Sequence, residues 1–144
     1  MTVTFCGHST VYPMEPVEAW LRETVGALIL RGAEKFYLGG YGAFDQMAAS
    51  VVWAQKTQHP YIASVLVLPY LDRKVISEHY DYTTYPPLES VPKRFAISRR
   101  NRWMVDNSDI LVAFVTHDWG GAATTLKYAE RKKKEIIRYT EESS

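Results

Sequence analysis

The sequence has a single cysteine, Cys6, among its 144 residues. A disulfide within the chain is therefore impossible, and we expect a protein of a reducing compartment, the cytoplasm. Long apolar runs are missing too, since none approaches the roughly 20 residues that cross a bilayer. The chain also does not begin with a basic segment followed by an apolar one, so neither a membrane span nor a secretory signal is expected.

An excess of charge of one sign is also missing. The 17 Lys and Arg residues nearly balance the 16 Asp and Glu residues, which leaves a net charge of +1. Bulk electrostatic attraction to nucleic acid or to a membrane surface is therefore not predicted. The length is that of one domain covering residues 1–144, with enough apolar residues to form a core.

Signature motifs of several cofactor sites are absent. No glycine turn continues into Gly-Lys-Ser/Thr and none spells Gly-x-Gly-x-x-Gly, so neither a P-loop nor a dinucleotide redox cofactor is predicted. His8 and His117 with Asp45 or Asp118 could be combined into a metal site, but their positions follow no known ligand spacing. We therefore predict no metal and no cofactor.

What the sequence does contain is a regular alternation of apolar runs and helical patterns. In chain order, strands are predicted at residues 2–6, 35–38 and 62–68, in the apolar run that follows Asp109, and at residues 135–139. Helices are predicted at about residues 15–31, 44–57, 95–107 and after Gly121. This alternation predicts an α/β protein, a Rossmann-like three-layer sandwich. Its parallel five-stranded sheet has the order 3-2-1-4-5 and carries helices on both faces.

A long segment at about residues 69–92 interrupts this rhythm. It has no sustained periodicity and is rich in tyrosine and proline. Loops of this length are uncommon in compact domains and are usually functional or mobile. Two readings stay open: a partly ordered surface excursion, or a lid over the strand ends whose tyrosines stack on a flat ligand.

Polar, glycine-bearing turns follow the first, second and fourth predicted strands. In the order 3-2-1-4-5 these turns converge at the crevice between strands one and four, where ligands bind in such sheets. Glycines between a strand and a helix start favour a phosphate or carboxylate site, because free backbone amides and the helix dipole point the same way. The residues predicted to bind the ligand are Gly7, His8, Ser9, Gly39, Gly40, Gly42, Asp45, Arg100, Thr116, His117, Trp119, Gly120, Gly121 and Thr124.

No residue is assigned to catalysis, and the candidates are His8, Asp45, Arg100 and His117. The two histidines at adjacent strand ends could donate to a phosphate or transfer protons, or could equally be hydrogen-bonding turn residues. Asp45 could cap its helix or accept a hydrogen bond from a ribose or a base. Ser9 lacks the Gly-x-Ser-x-Gly elbow of hydrolytic nucleophiles.

Several of these motifs together resemble the SLOG superfamily. They are Phe5-Cys6-Gly7-His8-Ser9, Tyr37-Leu38-Gly39-Gly40 with residues 42–48, Arg100 with Met104 and Ser108-Asp109, and Gly120-Gly121-x-x-Thr124. The superfamily joins the DprA/Smf DNA-processing proteins with the Lonely Guy cytokinin-activating phosphoribohydrolases. The segments 4–8, 92–104 and 116–122 are similar to the bacterial DUF1273/YpsA-like group within it.

The resemblance implies a Rossmann-like fold that binds a nucleotide or nucleotide-derived ligand, and a possible homo-oligomer. In Lonely Guy enzymes a Pro-Gly-Gly-x-Gly-Thr-x-x-Glu loop holds the phosphate and supplies a catalytic carboxylate, assisted by an arginine. On this basis Gly120 and Gly121 match the paired glycines, Thr124 the threonine and Arg100 the arginine.

The match to that loop breaks down at its catalytic end. The proline becomes Trp119, the third glycine becomes Ala123, and the acidic positions fall on Leu126 and Lys127. Cleavage of a glycosidic bond needs a carboxylate near the developing positive charge. The resemblance therefore implies a phosphate grip without the phosphoribohydrolase chemistry.

Three hypotheses follow. The first is a sensor or regulatory protein that binds a nucleotide-like small molecule. The second is a nucleotide-processing hydrolase related to the Lonely Guy enzymes, in which Asp45, His8 or His117 replaces the missing carboxylate. The third is a protein-interaction module in cell division or stress response, engaged through the aromatic loop.

Overall fold

The computed structural model describes residues 1–71 and 78–141. Its strands are β1 (Thr2–Gly7), β2 (Lys35–Leu38), β3 (Ala63–Val67), β4 (Tyr82–Thr84), β5 (Ile110–Phe114) and β6 (Glu135–Arg138). Its α-helices are α1 (Met14–Leu30), α2 (Gly42–Gln55), α3 (Ala96–Asp106) and α4 (Gly121–Arg131), and a 3-10 turn at Lys93–Phe95 precedes α3. No helix in the described part of the chain is long and apolar enough to cross a membrane.

The strands form one parallel sheet in the order β4-β3-β2-β1-β5-β6. The predicted Rossmann-like α/β fold is confirmed, and so is the predicted order, since the five expected strands are β3-β2-β1-β5-β6. The predicted count of five is wrong, because a sixth strand, β4, extends the sheet beyond β3.

Strand β4 lies inside the segment predicted to be a loop. It has three residues, Tyr82, Thr83 and Thr84, none of which is buried, so it carries no apolar alternation that a sequence pattern could reveal. Its attachment is through the backbone: the Leu68 amide donates to the Thr84 carbonyl at 2.8 Å, beyond the end of β3. Tyrosine and threonine suit an extended edge position, but three such residues are too few to predict a strand.

The side chains of the central strands divide by parity between two apolar layers. On β5, Ile110, Val112 and Phe114 belong to the larger cluster, which contains the buried residues of α1 and α2. Leu111 and Ala113 face the other way, into the cluster with α4. All five residues of β5 are buried. The uninterrupted apolar run therefore reflects a strand covered by helices on both faces.

Strand β1 lies at the point where the direction of chain progression changes. It pairs with β2 on one side and with β5 on the other, and Gly7 at its carboxyl end is in register with Phe114. The turns that follow β1, β2 and β5 therefore emerge side by side at one edge of the sheet.

Candidate functional site

A cleft of about 680 Å³ opens at the carboxyl ends of β1, β2 and β5. Its walls come from the turn after β1, the start of α2, one face of α3 and the turn between β5 and α4. The predicted site residues that line it are Gly7, His8, Ser9, Gly42, Asp45, Arg100, Thr116, His117, Trp119, Gly120 and Gly121. The structure thus brings eleven predicted residues together around one cavity.

Three predicted residues, Gly39, Gly40 and Thr124, do not line the cleft. Gly39 is closely packed between Arg100 and Asp45. Its carbonyl accepts a hydrogen bond from Arg100 at 2.9 Å, and an added Cβ would lie 3.0 Å from Asp45 Oδ2. Gly40 has a positive φ of 77° and would place a Cβ 2.7 Å from the Leu66 side chain. These two glycines are required by the packing of the turn after β2.

The threonine that faces the cleft is Thr125, one residue beyond the predicted Thr124. Thr124 is exposed, and its hydroxyl donates to the Gly120 carbonyl at 3.0 Å. Thr125 is buried, and its hydroxyl donates to the Gly121 carbonyl at 2.9 Å. Each residue of a helix is rotated by about 100° from the last. A shift of one position therefore decides which of the two threonines is exposed and which faces the cleft.

The N-terminus of α4 is the most open polar feature of the cleft. Its N-cap is Gly120, with φ 91° and no side-chain cap. The first helical amide with a hydrogen bond is that of Thr124, which donates to the Gly120 carbonyl at 3.0 Å. Among the described residues, the amides of Gly121, Ala122 and Ala123 have no hydrogen-bond acceptor. A Cβ added at Gly120 or Gly121 would meet nothing within 4 Å, and both glycines line the cleft.

The N-terminus of α2, on the other side of β1, is closed by the protein itself. The Ala43 amide donates to the Ser9 carbonyl at 3.0 Å and the Phe44 amide to the His8 carbonyl at 3.4 Å. The Asp45 carboxylate accepts from the Tyr41 amide at 3.2 Å. Of the two helix starts at the cleft, only that of α4 presents a set of open amides to an anion.

The turn after β1 packs tightly on the start of α2. A Cβ at Gly7 would lie 2.2 Å from the Phe44 ring, and a Cβ at Gly42 would lie 2.9 Å from the Ser9 Cα atom. Gly42 also has a φ of 83°, which side chains rarely permit. This close approach explains why both turns carry glycine.

Arg100 is buried in the wall of the cleft, with 1% of its surface exposed. Its Nη1 donates to the Gly39 carbonyl at 2.9 Å and to the Val67 carbonyl at 2.7 Å, and its Nε donates to Asn101 Oδ1 at 2.9 Å. The guanidinium also lies 5.3 Å from the centre of the Tyr41 ring. These contacts make Arg100 a tie between the ends of β2 and β3.

Asp45 supplies a carboxylate to the cleft from the first turn of α2. Burial raises its pKa to about 7, an increase that the nearby Arg100 guanidinium partly offsets. Its Oδ2 accepts the hydrogen bond from the Tyr41 amide, whereas its Oδ1 has no hydrogen-bond partner in the described part of the protein. Asp45 is half-buried and lines the cleft, so this second oxygen is open to a ligand there.

A stack of three rings lines the same cavity. The His8 and His117 rings are 3.7 Å apart and 13° from parallel, and the His117 and Trp119 rings are 3.8 Å apart and 18° from parallel. Trp119 is 68% exposed, which leaves a planar surface at the mouth of the cleft. His8 Nε2 accepts a hydrogen bond from the Thr116 amide at 2.8 Å, so His8 is neutral with its proton on Nδ1. Burial, followed by the effect of His117, lowers the His8 pKa.

Sequence reasoning missed several lining residues of α3. Ile97, Asn101 and Met104 join Arg100 on the cleft. Their spacing relative to Arg100 is that of one helical face, and this signal could have identified them. Tyr41 was also missed, although it lies inside the glycine-rich turn after β2. Within the described residues, no cluster of His, Cys, Asp and Glu side chains could hold a metal ion.

Comparison with known sequences gives distant relatives. No family model matches the chain. The UPF0398 proteins of Bacillus thuringiensis (strain Al Hakam) and Bacillus cereus (strain AH187) are each 24% identical over 141 residues. These alignments cover 88% of this chain and 75% of each relative.

Comparison with solved structures gives similar folds at low sequence identity. DNA processing protein A from Helicobacter pylori, described with a single-stranded DNA binding mode, matches with TM-score 0.63 and 17% identity over 96% of this chain. DNA processing protein A (DprA) from Streptococcus pneumoniae matches with TM-score 0.67 and 15% identity over 95%. The chain spans 64% and 49% of these two proteins.

The molybdenum cofactor carrier protein of Chlamydomonas reinhardtii has the same fold. It matches with TM-score 0.63 and 18% identity, over 99% of this chain and 79% of the carrier. A protein described with a single-stranded DNA binding mode and a cofactor carrier thus share this architecture with the chain. The chain is thus similar in sequence to the UPF0398 proteins and shares its fold with DprA and the carrier protein, in line with the resemblance to the SLOG superfamily in its sequence motifs.

Proposed function

We propose that the cleft binds a nucleotide or nucleotide-derived phosphorylated ligand, and that the protein acts as a sensor or regulatory protein. The observation that carries this proposal is the open N-terminus of α4. The amides of Gly121, Ala122 and Ala123 have no acceptor among the described residues, and Gly121 and Ala122 line the cleft. A phosphate suits this position because several amides and the helix dipole favour the same negative charge.

The ring stack supports a ligand that also has a flat part. Trp119 precedes the two glycines directly, so its exposed ring lies next to the proposed phosphate position. Stacking on His117 holds the indole with its plane parallel to the imidazole, 3.8 Å away. A base could extend the stack on the open side of the indole, as bases do on aromatic side chains in other proteins. The neighbours' ligands, single-stranded DNA and the molybdenum cofactor, are those of the neighbours, and the proposal rests on this cleft.

Binding is favoured over turnover by the composition of α4. At the acidic positions of the Lonely Guy loop, Leu126 is 4% exposed within the apolar layer, and Lys127 points outward to the Asp118 carbonyl at 3.2 Å. Glu130, one turn further along, does not line the cleft. No acidic side chain of α4 therefore reaches a ligand held at its N-terminus.

One observation favours the hydrolase as a second candidate. Asp45 is a carboxylate in the cleft, and burial places its pKa at about 7, within the range that suits a general acid or base. Incubation of each bound nucleotide with the protein, followed by chromatography, separates the candidates. Unchanged nucleotide supports a binder, whereas release of free base or phosphate that Asp45→Asn abolishes supports a hydrolase.

The binding proposal is tested by a thermal-shift screen of nucleotides, cyclic nucleotides and ADP-ribose. A ligand present at 100 times its dissociation constant stabilises the fold by about 2.7 kcal/mol, which is a shift of several degrees for a domain of this size. The variant Gly121→Leu should abolish the shift, since Gly121 lines the cleft and a side chain there would occupy space that the ligand needs. Its own melting temperature should stay close to that of the wild type, because Gly121 has no positive φ.

The matched control is Glu130→Leu, which places the same side chain on an exposed position of the same helix outside the cleft. It should retain the ligand-induced shift. The proposal fails if no compound in the panel stabilises the wild type, or if a bound compound stabilises Gly121→Leu equally.

A further inference from the structure

We propose that Asp45 is a specificity-determining residue of the cleft, which accepts hydrogen bonds from the vicinal hydroxyl groups of a ribose. The ligand would then be a ribonucleoside derivative with its phosphate at the N-terminus of α4. This inference rests on the proposed function and deepens it. It is carried by the position of Asp45 opposite the open amides and by the unused oxygen of its carboxylate.

The two ends of the cleft are fixed by strands on either side of β1. Asp45 lies in the first turn of α2, after β2, and Gly121 begins α4, after β5. Because β2 and β5 both pair with β1, their carboxyl ends are about 10 Å apart, or two strand spacings. Cys6 lies between the two ends: its Sγ donates to the Ala122 carbonyl at 3.7 Å, and burial, together with the charge of Asp45, raises its pKa. One elongated molecule can therefore contact both ends.

The two oxygens of the Asp45 carboxylate differ in their contacts. Oδ2 accepts the hydrogen bond from the Tyr41 amide and so helps to close the start of α2. Oδ1 has no such partner in the described ranges, and Asp45 lines the cleft. A hydroxyl group of the ligand can supply the missing donor.

Charge at this end of the cleft disfavours a second phosphate. Arg100 is the only Lys or Arg among the described residues that line the cavity, and it donates to the Gly39 and Val67 carbonyls. Asp45 beside it would repel a phosphate, whereas a hydroxyl donates a hydrogen bond to the carboxylate. An acidic residue that binds ribose hydroxyls near a phosphate-binding helix start is also the arrangement of dinucleotide-binding Rossmann folds.

The test measures the preference for ribose directly. Dissociation constants are determined by calorimetry for AMP, GMP, CMP and UMP and for their 2′,3′-dideoxy counterparts. The wild type should bind at least one ribonucleotide about tenfold or more tightly than its dideoxy form, the usual contribution of a hydrogen bond to a charged group. Asp45→Asn should reduce this ratio toward one while it still binds both forms. Asp118→Asn, which removes an exposed acid outside the cleft, should keep the full ratio.

Each outcome separates this inference from the proposed function. If the wild type binds none of the eight nucleotides, the proposed function is overturned for mononucleotides and the role of Asp45 with it. If the wild type binds ribonucleotides and dideoxynucleotides equally, only the role of Asp45 is overturned, and no variant is needed to see this. An unchanged ratio in Asp45→Asn, or an equal loss of affinity for both forms, also overturns it, because a purely structural residue would give the second result.

Discussion

The carboxyl group of Asp45 should make the stability of the fold depend on pH in a way that its amide replacement does not. Burial raises the pKa of this group from 3.8 to about 7 in the folded protein. The folded state therefore binds the Asp45 proton more tightly than the unfolded state does. The stabilisation from this proton is complete below pH 4 and is lost as the pH rises through 7.

The magnitude follows from the two pKa values. Between pH 5 and pH 8 the free energy of unfolding of the wild type should fall by about 2–3 kcal/mol relative to that of Asp45→Asn. Most of this change occurs below pH 7, where the unfolded carboxyl is already ionised and the folded one is not. The asparagine keeps an oxygen that can accept from the Tyr41 amide, so the comparison isolates the ionisation.

The assay is urea unfolding of both proteins at half-unit steps from pH 5 to pH 8, without nucleotide. Other groups, such as the His8 imidazole, titrate in both proteins and largely cancel in the difference. Arg100, Cys6 and Tyr80 interact electrostatically with Asp45, and all three are retained in the variant. A difference that stays constant across this range would show that Asp45 titrates normally, and the reasoning about its burial would be wrong.

Two further substitutions address the other walls of the cleft. Trp119→Ala should weaken nucleotide binding by about fivefold or more in calorimetry, as loss of base stacking does, while the urea midpoint stays the same because the indole is largely exposed. Unchanged affinity would mean that the ring stack does not contact the ligand. Arg100→Met should lower the free energy of unfolding by about 2–5 kcal/mol, because it leaves two buried carbonyls without donors. A loss under 1 kcal/mol in urea would contradict the tie between β2 and β3.

The sheet was predictable because its central strands are covered on both faces. The run Ile110–Phe114 is apolar at every position, and this composition has few structural explanations other than a buried parallel strand. The short edge strand Tyr82–Thr84 has no buried residue, so its place in the sheet depends on backbone pairing with Ala63–Val67. A side-chain pattern cannot reveal a strand whose contacts are made by the backbone.

The turns that form the cleft could be predicted from the sequence, whereas the contacts of single side chains in it could not. The convergence of three turns follows from strand order, which the sequence pattern contains. The direction of one side chain does not follow from strand order. Arg100 was expected to assist a phosphate, and its Nη1 instead donates to backbone carbonyls at the ends of neighbouring strands. The choice between Thr124 and Thr125 likewise depends on where α4 begins, which a motif fixes only to within a residue.

The hydrogen bond between Thr116 and His8 connects two walls of the cleft that differ in how they are held. On one side, the carbonyls of His8 and Ser9 are locked onto the first turn of α2. On the other, Thr116 and Trp119 belong to an exposed turn. The 2.8 Å hydrogen bond from the Thr116 amide to His8 Nε2 is a crosslink that protonation of His8 would break, since a doubly protonated imidazole cannot accept it. The lowered pKa of His8 keeps this crosslink in place at neutral pH, so the exposed turn meets a ligand already positioned against a fixed frame.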